Sequence, residues 1–249
     1  MTGSLVVVGT GPGKAELMTP ATQTALARAT DLVGYGPYLD RVPKRAWQRR
    51  HASDNKVELE RACHALSLAA AGRRVAVVSG GDPGVFAMAA AVFEAVEAGD
   101  RRWRDLDIRV EPGVTAMLAA AAEVGAPLGG DFCAISLSDN LKAWSTIERR
   151  LKAAAEADFV IALYNPASKA RPHQLGHAFD VLRQVKVKDT AVLFVRAAGT
   201  ADAKVVATAL GAADPSCADM RTLVIIGAST TRQVGRWIYT PRSEREVAS

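Results

Sequence analysis

Arg74-Val75-Ala76-Val77-Val78 is a short, β-branched and almost wholly apolar run, followed at once by Ser79-Gly80-Gly81-Asp82-Pro83-Gly84-Val85-Phe86. A strand that is apolar at nearly every position is buried on both faces, which is the mark of a parallel sheet covered by helices. The covering helix comes next: Met88 to Ala98 is Ala-rich and helix-favouring, with Val92, Phe93 and Val96 spaced for one face. Two glycines, a carboxylate and a proline thus fall where the carboxyl end of a parallel strand turns into a helix. Open α/β sheets bind ligands at that edge. The glycines let a ligand approach bare backbone, Pro83 stiffens the turn, and Asp82 offers an anion to a cation or to hydroxyls. The plainer alternative is a tight turn with Asp82 as a helix cap.

The same strand, loop and helix unit recurs. Leu5 to Val8 is a first strand feeding Gly9-Thr10-Gly11-Pro12-Gly13, and Thr19-Pro20 caps and opens a helix that runs to Ala29. Asp31 to Gly34 is a short strand, Arg41 to Lys56 a polar and basic loop, and Glu58 to Ala71 a helix. That basic loop is either solvated surface or a cation-rich flap over an acidic ligand. Ile108 to Val110 is a strand ending in Glu111-Pro112-Gly113-Val114-Thr115-Ala116, with a helix to Val124 after it. Further on, Phe132 to Leu137, Phe159 to Leu163, Ala191 to Val195, Lys204 to Leu210 and Leu223 to Ile226 read as strands. Trp237 to Thr240 reads as the strand that closes the second sheet. Helices are expected at Ser145 to Ala157 and Gln174 to Gln184. Alternation of this kind gives α/β domains, 1–113 and 114–249, the first mostly parallel and the second mixed because hairpin spacing appears only there.

Two phosphate-binding motifs fail on the first glycine loop. A Walker loop needs Gly where Val8 stands and Ser or Thr where Ala15 stands, and the dinucleotide fingerprint wants its third glycine one place later, with the helix starting at once. A net charge of +5 favours acidic partners, but the basic residues are dispersed, without the clustered stripe of a nucleic-acid binder. Cys63, Cys133 and Cys217 form no CxxC pair and have no histidine at ligand spacing, so neither a metal nor a disulfide frame is expected. His51, His64, His173 and His177 read as isolated. No basic leader precedes Leu5, and no apolar run approaches the roughly 18 residues of a membrane span, so a cytoplasmic location and no membrane partner are expected.

Gly9–Gly13, Ser79–Phe86, Glu111–Ala116, Gly125–Leu128, Leu163–Pro166 and Tyr239-Thr240-Pro241-Arg242 occur in order, and together they resemble the tetrapyrrole methylase family of S-adenosylmethionine-dependent methyltransferases. The resemblance runs from about Leu5 to Arg242. Val33–Asp40, Asp131–Leu141 and Tyr164–Arg171 resemble the branch of cobalamin biosynthesis that acts on precorrin-3B. The resemblance implies two α/β domains of the class III methyltransferase architecture with the cofactor in the cleft between them, and a homodimer. It also implies methylation of precorrin-3B at ring carbon 17 with coupled contraction to precorrin-4.

Carried over position by position, it gives Pro12, Gly80, Gly81, Asp82, Val85, Thr115, Ala116, Asn165 and Gly199 as cofactor-binding candidates. Asn165 stands where relatives often have methionine. The cofactor is a cationic sulfonium without phosphates, which agrees with the failed phosphate motifs. Ser136, Ser138, Asp139, Asn140 and Lys142 are candidates to steer the contraction, against the alternative that they cap a helix. The substrate is a tetrapyrrole with several carboxylates, for which Lys169, Arg171 and Arg196 are candidate clamps. Two rival readings are a counterpart acting on a cobalt-containing substrate and a nicotinamide-dependent oxidoreductase. The second needs an acidic residue at the end of strand two, where Gly34 stands instead, Asp31 falling before that strand.

Overall fold

The computed structural model describes residues 3–54, 57–168 and 170–243. The chain divides into two compact units, Met1–Ala116 and Met117–Ser249.

In the first unit the strands are β1 (Ser4–Gly9), β2 (Asp31–Tyr35), β3 (Arg49–Ser53), β4 (Arg74–Ser79) and β5 (Asp107–Glu111). They lie in the order β3-β2-β4-β1-β5, and every neighbouring pair is parallel. The helices are α1 (Pro20–Arg28), the single turn α2 (Gly36–Leu39), α3 (Glu58–Ala70) and α4 (Met88–Ala98). Alternate side chains of one strand serve opposite faces. Val75 and Val77 pack with Leu66 of α3 and Val92 of α4, while Ala76 and Val78 pack with Leu26 of α1 and Leu39 of α2. That is why β4 has no polar face. The chain leaves β2 toward β3 and leaves β4 toward β5, so the connections after these two neighbouring strands run in opposite directions, as at a topological switch point. Thr19 caps α1 as expected, its Oγ1 accepting from Thr22 N at 3.2 Å ahead of Pro20.

Four expectations are corrected here. Phe93 is 50% exposed, and the buried face of α4 is Met88, Ala89, Val92 and Ala95, because Phe93 stands about 100° round the helix from Val92 and so leaves that face. The basic stretch is neither free surface nor flap throughout: Arg49–Ser53 is an edge strand, and Arg50 donates to the carbonyls of Leu39, Val42 and Pro43 at 2.6, 2.7 and 2.9 Å. Lys56 lies outside the described residues. His51 and His64 are not isolated, since His51 Nε2 is 3.0 Å from Asp31 Oδ1 and His51 Nδ1 is 3.1 Å from His64 Nε2. Asp31 is the first residue of β2 rather than a residue before it, and Arg73 Nε donates to it at 2.8 Å.

The second unit holds α5 (Ala116–Val124), β6 (Gly125–Ala126), β7 (Phe132–Ser136), α6 (Trp144–Glu156), β8 (Val160–Tyr164) and α7 (Gln174–Arg183). It continues with β9 (Ala191–Arg196), β10 (Lys204–Ala209), β11 (Thr222–Ile226), β12 (Arg232–Val234) and β13 (Trp237–Tyr239). The main sheet runs β10-β9-β11-β8-β7, with β7 and β8 parallel and the other pairs antiparallel, so it is mixed. Leu151, Leu163, Leu175, Phe179, Phe194 and Val224 fill its core. The segment Trp237–Tyr239 does not close this sheet. It joins β12 and β6 in a separate three-stranded sheet, held where Ile238 stands opposite Gly125.

Candidate functional site

Three strand-end loops of the first unit are stitched together by backbone. Thr10 N donates to Ser79 O at 2.9 Å, and Gly11 and Gly81 exchange N–H···O bonds of 3.1 and 2.9 Å. Asp82 ties the loop after β4 to itself and to the loop after β5, with Oδ1 accepting from Gly84 N at 2.8 Å and Oδ2 from Gly113 N at 3.0 Å. The approach is close enough to require glycine. A Cβ on Gly9 would stand 2.6 Å from Gly81 O and 2.7 Å from Gly113 N. Gly80 lies under the Tyr38 ring, where a Cβ would be 2.7 Å from Cζ. Gly11 and Gly81 have φ of 72° and 63°, a region that favours glycine. Thus the glycines first let the loops approach one another, a use the sequence reading missed by considering only a ligand.

Of the residues expected on this side, Gly80, Gly81 and Asp82 share one loop with Val85, while Pro12 follows β1 and Thr115 and Ala116 follow β5. A Cβ on Gly81 would be 3.8 Å from Thr115 Cα, so these two loops are in contact. Phe86 has φ of 52° and is 52% exposed, and such strain in a non-glycine residue clusters at functional loops. The amides of Thr10, Gly11, Gly81, Gly84 and Gly113 all donate to acceptors inside the unit. An anion-binding nest needs such amides pointing outward. Their engagement makes the loops poor for phosphate and compatible with a cationic, phosphate-free ligand.

In the second unit, Ser136 ends β7 buried, and its Oγ accepts from Asn165 Nδ2 at 2.9 Å and Ser138 N at 3.3 Å. Asn165 follows β8 with φ of 53°, a conformation asparagine tolerates better than most residues. Tyr164 Oη accepts from Met117 N at 3.0 Å. Lys142 Nζ donates to Ser138 O at 3.3 Å. Burial disfavours its ammonium and the charge of Arg150 adds to this, so its pKa is lowered although Asp139 pulls the other way. Asp139 Oδ2 accepts from Gln174 Nε2 at 3.2 Å. Asn140 is exposed on the same loop.

Gly199 has φ of 70° and donates to Glu123 Oε1 at 3.1 Å. Arg196 Nε donates to Asp219 at 2.7 Å, so its charge is matched within the unit. Arg171 exchanges backbone bonds of 3.1 and 3.0 Å with Ser168. Lys169 lies outside the described residues. Tyr38, Glu123, Tyr164 and Gln174 were missed, since single polar residues carry no spacing signal. Among the described residues there is no group of three or more His, Cys, Asp or Glu side chains able to hold a metal ion, and no helix is long and apolar enough to cross a membrane.

The parallel first sheet, the mixed second sheet and these glycine-stitched loops define a class of two-unit α/β methyltransferases, and comparison with known proteins gives the family. Residues 4–214 match the tetrapyrrole (corrin/porphyrin) methylases, and the chain belongs to that family. It is 60% identical over 247 residues to the precorrin-3B C(17)-methyltransferase of Sinorhizobium sp., covering 97% of both chains. The crystal structure of the methyltransferase CobJ is 53% identical, with a TM-score of 0.94 over 96% of this chain and 100% of that one. A uroporphyrin-III C-methyl transferase from Thermus thermophilus, solved with S-adenosyl homocysteine, has 22% identity and a TM-score of 0.68 over 90% of this chain and 97% of that one, a likeness of fold.

Proposed function

We propose that this chain transfers a methyl group from S-adenosylmethionine to ring carbon 17 of precorrin-3B, with coupled ring contraction to precorrin-4. The observation that carries the reading is the 60% identity to the Sinorhizobium enzyme along 97% of both chains. The phosphate-poor character of the first unit's loops supports the cofactor, as does the complex of the Thermus relative.

The bound cofactor supplies an already activated methyl group, so the residues of the chain have mainly to position and to exclude water. Pro12, Gly80, Gly81, Asp82, Val85, Thr115 and Ala116 in the first unit, and Asn165 and Gly199 in the second, are the proposed cofactor contacts. Asp82 has its two oxygens on backbone amides. Its negative charge remains, and it favours a cation nearby while fixing the loops that receive the ligand. Asn165 holds Ser136 with its side chain, which leaves its backbone for the cofactor.

Ser136, Asp139, Asn140 and Lys142 are proposed to steer the contraction. Lys142 would act by orientation, its Nζ already held at the loop by the Ser138 carbonyl at 3.3 Å. Arg171 and Lys169 are proposed to take substrate carboxylates, and Arg196 would do so only while shared with Asp219. A homodimer in the cytoplasm is part of the same reading. The test is a thermal-shift comparison of S-adenosylhomocysteine with NAD, joined to turnover of methyl-labelled cofactor on precorrin-3B. Stabilisation by the first ligand with label in the tetrapyrrole is expected. Stabilisation by NAD alone, without label transfer, would overturn the proposal.

A further inference from the structure

Arg41 carries an exposed charge on a turn that is held in place. Among the described residues no ion pair or hydrogen bond engages its guanidinium, which lies over the Tyr38 ring with Cζ 5.3 Å from the centroid. The turn itself is pinned from both sides. Arg41 N donates to Tyr38 O at 3.2 Å and Val42 N to Leu39 O at 3.0 Å, and Arg50 bonds the carbonyls of Leu39, Val42 and Pro43. Val42 is buried beside it. An arginine on such a turn, laid on an aromatic ring, has less freedom to lose on binding than one on a free loop.

Tyr38 connects this charge to the loop after β4. The strands β2 and β4 are parallel neighbours, so α2 and that loop leave the sheet at the same edge. Tyr38 reaches across so closely that a Cβ on Gly80 would be 2.7 Å from its Cζ and 3.1 Å from its Oη. Tyr35 meets the same ring edge-on, with centroids 5.4 Å apart and planes at 88°. Arg41, Tyr38, Tyr35 and Gly80 thus form one contiguous surface, and each is at least partly exposed. Arg45 offers a comparison in the same segment: its Cζ is 5.4 Å from the centroid of the Trp47 ring, which is 63% exposed. It is the same kind of pair, but the ring seated on Gly80 is that of Tyr38.

A guanidinium stays charged at any working pH and presents its N–H donors in a planar fork that fits a carboxylate. The Tyr38 ring steadies the cation without taking up those donors, which stay open to an anion. We propose that Arg41 binds a peripheral carboxylate of the substrate beside the Gly80 loop, with Tyr38 as the positioning residue that holds the guanidinium there. The proposal rests on the reading of the substrate as a polycarboxylated tetrapyrrole. Gly80 then serves first as the seat of Tyr38, and a carboxylate on Arg41 fixes the macrocycle against the loop proposed to hold the methyl donor.

In the full chain, Arg41→Gln is expected to raise KM for precorrin-3B about tenfold, the loss of one charge-assisted hydrogen bond, with S-adenosylhomocysteine affinity and melting temperature unchanged. Arg41→Lys should recover part of this, keeping charge without the fork. Arg45→Gln, an equal change of charge, should leave KM within about twofold of wild type. Tyr38→Leu should raise KM at saturating cofactor, and Tyr38→Phe should restore it, because the ring and not the hydroxyl holds Arg41. In the Arg41→Gln background Tyr38→Leu should add nothing further. Unchanged KM in Arg41→Gln would overturn the contact. An equal rise in Arg45→Gln would overturn it too, since general attraction to a basic surface would then suffice. Additive effects of Arg41→Gln and Tyr38→Leu would remove Tyr38 from its positioning role. Uroporphyrin III, an octacarboxylate, serves as an equilibrium probe read by tryptophan fluorescence. If wild type fails to turn over precorrin-3B yet binds this probe, and Arg41→Gln weakens it more than Arg45→Gln does, the substrate reading falls while the carboxylate contact stands. Equal probe binding by the two variants would overturn the contact.

Discussion

Asp82 makes two hydrogen bonds that an asparagine cannot both make. Its oxygens accept from Gly84 N at 2.8 Å and Gly113 N at 3.0 Å, and an amide would turn its NH2 group toward one of these donors. Asp82→Asn is therefore expected to lower unfolding stability by about 1–3 kcal/mol and to weaken S-adenosylhomocysteine binding by a comparable amount. Urea titration and calorimetry measure the two, and no change in either would remove Asp82 from both roles. Asp31 poses a different test. Burial alone would raise its pKa, but hydrogen bonds from Arg73, Thr30 and His51 and the charge of Arg73 outweigh it and bring the carboxyl down to about 2. A depressed folded-state pKa stabilises fully above the ordinary value of 3.8, and the contribution is lost as pH falls toward 2. That contribution is about 2 kcal/mol. Asp31→Asn also leaves Arg73 and His51 without their anion, so a loss of about 3 kcal/mol is expected at pH 7. The gap to wild type should narrow below pH 4, and an equal gap at pH 7 and pH 2.5 in urea melts would contradict this. At this scale the sequence displays which residues are special and conceals their partners. The carboxylate of Asp82 stands out in its glycine loop, whereas nothing in the spacing of Asp31, His51, His64 and Arg73 says that β2, β3, α3 and the turn before β4 bring them together.

Elements were legible where burial is two-sided. The run Arg74 to Val78 and the helix Met88 to Ala98 follow from apolar periodicity because the sheet is covered on both faces. β3 escaped because an edge strand of arginines, histidine, alanine and serine has no apolar period, and Arg50 is spent on carbonyls of the preceding segment. β12 and β6 escaped because three-residue and two-residue strands are defined by their partner β13 rather than by their own composition. The stitched loops offer the sharpest test of how elements meet. A Cβ on Gly113 would collide with Gly81 O and stand 2.9 Å from Gly9 Cα, so Gly113→Ala must move backbone. A cost of about 1–3 kcal/mol is expected, with loss of S-adenosylhomocysteine binding. Gly36→Ala is the control: a Cβ there meets nothing within 4 Å, the site is helical, and the change should be neutral or slightly stabilising. Equal melting temperatures and equal ligand shifts for the two variants would show that the loop contacts are dispensable.

For the molecule as a whole, membership of the tetrapyrrole methylases and two differently built units account for a methyltransferase whose first unit spends its glycine-rich strand-end loops on one another. The central claim is that contraction of the macrocycle depends on methyl transfer and needs no separate acid–base step. In the proposed mechanism the polar loop from Ser136 to Lys142 would only orient groups, and methylation at carbon 17 would change the conjugation so that the bond can migrate. The direct measurement is a stoichiometric incubation of the protein with precorrin-3B, once with methyl-labelled S-adenosylmethionine and once with S-adenosylhomocysteine, each product read by mass spectrometry and absorption. One labelled methyl in a contracted ring in the first case, and unchanged substrate in the second, is the predicted result. A contracted but unmethylated ring in the second, or a methylated ring that stays uncontracted in the first, would contradict it.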